Sequence, residues 1–280
     1  MTETPEFVFG SPRLAYNRVG AGPPVVFLHG IGGNRFQWRE QLEALSAEYT
    51  AIAWDARGYG ASDDYEGPLE FTDFSLDLVR LLDALAIDRA HLVGLSMGAR
   101  ILLDFAPANI DRIASLTLCD FFYGFDESLT DDKREEFLRL RKKPLEEGKS
   151  LSDLAPAVVN SLLAPNASED VRRRLIESIE ALHVESYLKT LEATTRYNRG
   201  ANLAALTMPV QMIYGAEDRL TPPSIGQDAL KILASGNLNM IPGAGHLSNI
   251  EAPDEFNEIL CAFLDRHKDL ATWRGSGPPE

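Results

Sequence analysis

A serine with glycines two places to either side, Gly94-Leu95-Ser96-Met97-Gly98, is the pattern a chain needs to turn sharply from a strand into a helix with the serine at the apex. A serine hydroxyl is a poor nucleophile at neutral pH. It needs a base within hydrogen-bond reach and an acid that holds the base in the right tautomer. Position along the chain selects the base. Among the 5 histidines, His246 follows the last strand-like run, in Gly243-Ala244-Gly245-His246. His91 stands at the start of a strand, the wrong end for a base, while His183 and His267 lie in helical stretches. For the acid, Asp218 in Tyr214-Gly215-Ala216-Glu217-Asp218-Arg219 is the first choice, with Glu217 beside it. Asp120, at the end of an earlier strand, is the alternative acid. The chain order Ser96, Asp218, His246 suits three residues placed in successive loops at one edge of a parallel sheet.

Attack on a carbonyl also builds an oxyanion, which needs two donors already in place. Met97 N–H, at the start of the helix after Ser96, is one candidate, because a helix N-terminus presents free N–H groups and positive partial charge. The second is Ile31 N–H in His29-Gly30-Ile31-Gly32-Gly33, where glycines let the backbone turn toward a ligand and His29 reads as the residue that holds the loop. Gly30, Trp38 and the aromatic run Phe121-Phe122-Tyr123-Gly124-Phe125 are candidate pocket walls, with packing in the core favoured for Trp38. Arg35, Arg100, Arg196 and Arg199 could each clamp a substrate carboxylate, and Arg35 and Arg196 are the first to test. A structural or solvated role is the commoner fate of any single arginine.

These residues need a scaffold, and hydrophobic periodicity supplies one. Phe7–Phe9 and Arg13–Val19 read as an opening hairpin. Val25–Leu28, Ala51–Trp54, His91–Val93, Leu116–Cys119, Val210–Tyr214 and Leu238–Ile241 read as further strands, separated by helices at Arg35–Ala47, Phe71–Ile87, Ala99–Ala106 and Ser224–Leu233. A last helix spans Pro253–Lys268. The alternation predicts an α/β protein with a mostly parallel eight-stranded sheet and helices on both faces. From Phe121 to Leu206 no strand-like run appears, which predicts an inserted all-helical cap, with Pro144, Gly148, Pro165 and Gly200 as breakers. The expected division is a core of residues 1–120 and 207–274, a cap of 121–206 and a tail of 275–280.

The 280 residues, 45% hydrophobic, suffice for one large core. A net charge of −15 argues against nucleic acid and anionic membrane surfaces as partners. No basic-then-apolar leader opens the chain and no apolar run is long enough to span a bilayer, so it reads as soluble and cytoplasmic. Cys119 and Cys261 show no metal or disulfide spacing, and neither a metal nor any other cofactor is expected.

With His29-Gly30, Asp55-Ala56-Arg57-Gly58-Tyr59-Gly60-Ala61-Ser62, Gly94-Leu95-Ser96-Met97-Gly98, Gly215-Ala216-Glu217-Asp218 and Gly245-His246 together, the chain resembles the alpha/beta-hydrolase superfamily with an inserted lid. Leu82-Asp83-Ala84-Leu85, the serine motif and Leu116-Thr117-Leu118-Cys119 look like 3-oxoadipate enol-lactonases and related carboxylic-ester hydrolases. The resemblance implies a cofactor-free serine hydrolase of a small-molecule ester or lactone. Two alternatives stay open: a carbon-carbon bond hydrolase of a ring-cleavage product using the same three residues, and a ligand receptor built on a hydrolase core with a protein partner. A serine at position 96, where an aspartate would stand, separates the chain from haloalkane dehalogenases and epoxide hydrolases.

Overall fold

The computed structural model describes residues 4–123, 130–197 and 200–274; Gly124, Phe125, Arg199 and the expected tail 275–280 lie outside the described residues. In chain order the elements are β1 (Glu6–Val8), β2 (Leu14–Val19), β3 (Pro24–Leu28), α1 (Arg39–Leu45), β4 (Thr50–Trp54), α2 (Thr72–Ala84), β5 (Ile87–Leu95), α3 (Met97–Phe105) and β6 (Ile113–Cys119). Then come α4 (Asp131–Glu146), α5 (Leu151–Leu162), α6 (Glu169–Glu180) and α7 (Val184–Arg196). The sheet resumes with β7 (Val210–Gly215), α8 (Ser224–Ile232) and β8 (Gly236–Ile241), followed by α9 (Ser248–Glu251), α10 (Pro253–Arg266) and β9 (Thr272–Trp273).

The strands lie in the order β1-β2-β4-β3-β5-β6-β7-β8, parallel from β4 through β8, with β1 and β2 antiparallel at one edge. The short β9 is a ninth strand that pairs antiparallel with the start of β5, off the eight-strand path. β3 and β4 are buried at every residue, as strands covered by helices on both faces must be. α1 packs on α10 and α2 on α3.

Chain direction reverses at β3, since β4 lies on one side of it and β5 on the other. Loops leaving β3 and β5 therefore depart toward opposite faces and open a crevice between them, the place where open α/β sheets bind ligands. Register aligns the strand ends: Leu28 faces Gly94, Leu95 faces Cys119, Cys119 faces Ile213 and Gly215 faces Ile241. The loops carrying Gly30, Ser96, Asp120, Asp218 and His246 thus all leave the same edge.

Several boundaries differ from the sequence expectation for local reasons. The helix expected to reach Ile87 stops at Ala84, because Ala86 takes φ 53° and turns the chain directly into β5. The first helix divides into a 3-10 turn, Arg35–Trp38, and α1. α4 runs through Pro144, which sits in its last turn instead of ending it. Trp38 is a core residue and not a pocket wall: it is fully buried, with its ring 5.0 Å from Phe27 and 6.3 Å from Phe256.

Between β6 and β7 the described chain is helical. α5 opens with a capping box in which the Ser150 hydroxyl accepts from Asp153 N–H and the Asp153 carboxylate accepts from Ser150 N–H. α6 is capped by Ser168. Leu151, Ala155 and Val159 of α5 and Val171, Leu175 and Ile179 of α6 repeat every four residues, giving each helix one buried stripe along which the pair packs.

Candidate active site

Ser96 joins β5 to α3 with φ 51° and ψ −109°, a conformation that side chains rarely adopt and that costs on the order of 1–3 kcal/mol. Its neighbours hold it there. A Cβ on Gly94 would lie 2.5 Å from Ala99 N, and one on Gly98 would lie 2.2 Å from the Leu28 carbonyl oxygen. Only glycine lets β5 and α3 close on each other and α3 close on β3. Ser96 N–H donates to the Cys119 carbonyl at 2.8 Å, which fixes the turn to β6. Met97 is the first residue of α3, so its N–H falls among the helix-start donors that have no partner within the helix.

His246 and Asp218 meet. Nδ1 of His246 lies 2.8 Å from Oδ2 of Asp218, and both side chains are buried. The other carboxylate oxygen, Oδ1, accepts Leu220 N–H at 2.8 Å and Thr221 N–H at 2.9 Å, while the Thr221 hydroxyl donates to Oδ2 at 2.5 Å. Every acceptor position of the carboxylate is thereby oriented, and Nδ1 of His246 must carry the proton in the bond to Asp218. Nε2 is left as the lone-pair nitrogen. Burial pulls the imidazole pKa down, but the Asp218 hydrogen bond and charge, with Asp120 and Glu251 adding to them, outweigh it and raise it above its ordinary value. Burial pushes Asp218 the other way, and its bonds to His246 and Thr221 bring it below the usual carboxylate range.

Asp120 has a different place. It is fully buried, with φ 45°; Oδ1 accepts Gly215 N–H at 2.7 Å, and Oδ2 accepts Ser248 N–H at 3.2 Å as well as the Ser248 hydroxyl proton. Burial drives its carboxyl up to about 8, with Asp218 reinforcing the rise and His246 and the donors opposing it. The contacts link the end of β7, three residues before Asp218, to the residue two beyond His246. The carboxylate bonded to His246 is Asp218.

The loop after β3 is a four-residue turn closed by Gly33 N–H donating to the Gly30 carbonyl at 3.1 Å. Gly32 takes φ 85°, the value required at the third position of a type II turn. A Cβ on Gly30 would come 3.3 Å from Ser96 Cβ, so this turn borders the serine. His29 is fully buried beneath it. Its Nε2 accepts Ala56 N–H at 3.1 Å, so the proton sits on Nδ1, which donates to the Gly30 carbonyl at 2.8 Å. Burial lowers the His29 pKa and keeps the ring neutral. In a trans peptide the N–H points opposite the C=O, so gripping the Gly30 carbonyl fixes the direction of Ile31 N–H.

The three candidate arginines among the described residues are committed elsewhere. Arg35 is not positioned as a carboxylate clamp: its buried guanidinium pairs with Asp55 through Nη1 and donates from Nε to Asn17 at 3.1 Å. Arg196 reaches Glu192 at 2.7 Å with 65% of its side chain exposed, on the rim of a surface cleft of about 390 Å³ that includes Phe71 and Lys189. Arg100 is buried, lies 4.3 Å from the Phe122 ring centroid, and donates to the carbonyls of Thr194 at 2.9 Å and Tyr197 at 2.8 Å. Phe121 is fully buried, and its carbonyl accepts the Tyr214 hydroxyl at 2.6 Å. Tyr123 is half-buried against the core.

Sequence reasoning missed the residues that brace these loops from α5 and α6. His246 N–H donates to the Leu162 carbonyl at 2.8 Å, and Glu251 accepts Ala164 N–H at 2.7 Å and Leu247 N–H at 3.2 Å. Arg219, beside Asp218, donates to the carbonyls of Asn160 at 2.6 Å and Leu163 at 3.0 Å. The Ser178 hydroxyl donates to the Gly32 carbonyl at 2.7 Å. Gly245 carried a signal, since a Cβ there would lie 2.6 Å from Ala164 N. Among the described residues, no group of three or more His, Cys, Asp or Glu side chains is arranged to hold a metal ion, and no helix is long and apolar enough to cross a membrane.

Comparison with known proteins agrees with this architecture. A family model described as the alpha/beta hydrolase fold matches residues 23–253. The chain is 26% identical to 3-oxoadipate enol-lactonase 1 of Acinetobacter baylyi, over 86% of this chain and 88% of that protein. It is 27% identical to the 2-hydroxy-6-oxononadienedioate/2-hydroxy-6-oxononatrienedioate hydrolase of Paraburkholderia xenovorans, over 91% of each. A crystal structure of a hydrolase from Pseudomonas aeruginosa PA01 superposes with a TM-score of 0.84 at 27% identity, covering 94% of this chain and 99% of that one. The fold, the aligned strand ends and these relatives together make the chain a member of the alpha/beta hydrolase fold family of enzymes.

Proposed function

We propose that the protein is a serine hydrolase that cleaves a small-molecule ester or lactone through an acyl-enzyme. The buried 2.8 Å pairing of His246 Nδ1 with Asp218, at the sheet edge where Ser96 is held in its strained turn, carries this reading. In the first half-reaction Ser96 Oγ attacks the carbonyl carbon as His246 Nε2 takes its proton. Negative charge moves to the carbonyl oxygen, where Met97 N–H and Ile31 N–H receive it. The tetrahedral centre collapses, the C–O bond to the leaving alkoxide breaks, and His246 returns the proton to it. In the second half-reaction water adds to the acyl-serine with its proton going to His246, and the acid leaves as Ser96 is reprotonated. Asp218 holds the tautomer and balances the imidazolium charge.

The helices α4–α7 act as a cap over this edge, and the substrate we favour is uncharged. Arg35 is occupied with Asp55, Arg196 with Glu192, and Arg100 with backbone carbonyls. Enol-lactonases and the Paraburkholderia hydrolase are similar in sequence and support hydrolysis, but the carboxylate partners of Arg35 and Arg196 and the carbonyl partners of Arg100 favour a neutral ester or lactone over a dicarboxylate. A panel of short-chain p-nitrophenyl esters and lactones, assayed on wild type and Ser96→Ala, tests the reading. Turnover of the preferred substrate should fall about 10³-fold or more in Ser96→Ala. Undiminished turnover in that variant would remove the mechanism.

A further inference from the structure

The turn beside Ser96 is held from two sides. From the core, His29 Nδ1–H donates to the Gly30 carbonyl at 2.8 Å. From the cap, the Ser178 hydroxyl on α6 donates to the Gly32 carbonyl at 2.7 Å. The direction of that hydroxyl is settled by its other partner. Asn34 Oδ1 accepts Phe36 N–H at 2.9 Å, so the Asn34 amide nitrogen faces α6 and donates to Ser178 Oγ at 3.1 Å. The one proton on Ser178 Oγ is left for Gly32.

We propose that Ser178 is a positioning residue for the oxyanion donor, acting on Ile31 N–H through two peptide units in series. Gly32 C=O and Gly33 N–H belong to one peptide, and Gly33 N–H donates to Gly30 C=O at 3.1 Å. Gly30 C=O and Ile31 N–H belong to the next. The path runs from Ser178 O–H to Gly32 C=O, from Gly33 N–H to Gly30 C=O, and ends at Ile31 N–H. Each bond accepted by a carbonyl polarises its own peptide and strengthens the N–H at the other end, by roughly 10–30% per bond. Each also restrains the peptide plane, and so the aim of the last N–H. A docked α6 therefore does more than cover the site: it completes the donor geometry that the transition state uses. A substrate bound under an undocked cap would meet a turn held by His29 and by its own Gly33-to-Gly30 bond, without the cap's hydroxyl on Gly32.

The inference rests on the serine-hydrolase reading, and one set of measurements separates the two. Ser178→Ala, Ser178→Thr and Arg174→Gln are compared with wild type in p-nitrophenyl ester hydrolysis, inhibition by a trifluoromethyl ketone that forms a tetrahedral adduct, and labelling of Ser96 by a fluorophosphonate. Arg174 lies on the same helix and pairs with Glu40 at 2.7 Å, so its loss removes a different α6 contact while leaving the Ser178–Gly32 bond in place. Removing an oxyanion donor outright costs about 10²- to 10³-fold in kcat, and loosening one should cost about tenfold. The expected result for Ser178→Ala is that loss in kcat, a matching loss of ketone affinity and little change in KM. Ser178→Thr, which keeps the hydroxyl, should restore kcat, and Arg174→Gln should leave it near wild type. With Ser96 labelled normally, an unchanged kcat in Ser178→Ala, an equal loss in Arg174→Gln, or a change confined to KM would overturn the inference alone. Failure of the wild type to label at Ser96 would overturn the hydrolase reading and this inference with it.

Discussion

Replacing Asp218 by asparagine exchanges one oxygen for an NH₂ and reverses the bonds that Oδ2 accepts from His246 and from the Thr221 hydroxyl. Oδ1 of Asp218 accepts two backbone donors, Leu220 N–H at 2.8 Å and Thr221 N–H at 2.9 Å. An amide group turned the other way would aim its NH₂ at both of them, leaving the buried Thr221 N–H unpaired at about 1–3 kcal/mol. The amide oxygen therefore keeps that place, and the NH₂ stands where Oδ2 was, 2.8 Å from His246 Nδ1. It must donate to Nδ1. The proton of the neutral imidazole then moves to Nε2, the nitrogen that accepts from Ser96 in the proposed mechanism. A wrong-tautomer histidine of this kind lowers kcat by about 10⁴, or about 5.4 kcal/mol of barrier at about 1.36 kcal/mol per decade. The assay is hydrolysis of a p-nitrophenyl ester at pH 8, with thermal unfolding to verify that the variant is folded. Asp120→Asn is the comparison. Its side chain contacts Gly215 and Ser248 and leaves the tautomer of His246 alone, so its loss should be smaller by at least about tenfold. Asp218→Asn retaining most of its turnover while Asp120→Asn loses it would refute the reasoning and move the acid to the end of β6.

Because the imidazole pKa is raised and the neutral ring is the base, kcat/KM should fall as pH drops, with a midpoint above 6.5. Asp218→Asn removes the main cause of the rise and should move that midpoint down; a wild-type midpoint below about 6 would contradict it. Gly98→Ala sets two effects against each other. Helix propensity favours alanine by about 1 kcal/mol, but a Cβ 2.2 Å from the Leu28 carbonyl must push β3 and α3 apart at about 3 kcal/mol or more. Urea denaturation should show net destabilisation. Arg100→Leu leaves the carbonyls of Thr194 and Tyr197 without the donor that ties α7 to α3, and should cost on the order of 2–4 kcal/mol. Amide exchange near the end of α7 should quicken in that variant.

Ser96 and the bonded pair Asp218 and His246 could be placed at one sheet edge because each occupies a loop directly after a strand, and in a parallel sheet those loops share one edge. Ser96, Asp218 and His246 needed only the strand pattern and their order. Arg35 was not legible in the same way. Its partner Asp55 lies in the loop after β4, and nothing local to Arg35 announces that β3 and β4 pair side by side and bring the two together. Trp38, where sequence already favoured the core over a pocket wall, is settled by its packing between Phe27 and Phe256. The end of α2 escaped for a different reason, since apolar periodicity continues past Ala84 while the backbone reverses at Ala86. Ser178 and Leu162 carry no local mark at all. A serine on a half-exposed helix face and a carbonyl at a helix end acquire meaning only from the loops they touch, far away in the chain.

The Leu162 carbonyl that receives His246 N–H has a consequence for how this architecture can be altered. The loop bearing the histidine belongs to the sheet, yet part of its backbone valence is filled by the inserted helices, as are Glu251 and Arg219 on either side. Under the proposed function, exchanging residues 121–206 for the corresponding segment of another hydrolase would therefore remove backbone partners of the histidine loop along with the cap. A chimaera that keeps residues 160–164 with the recipient would preserve those bonds, and the natural splice points lie inside the insert instead of at its hinges.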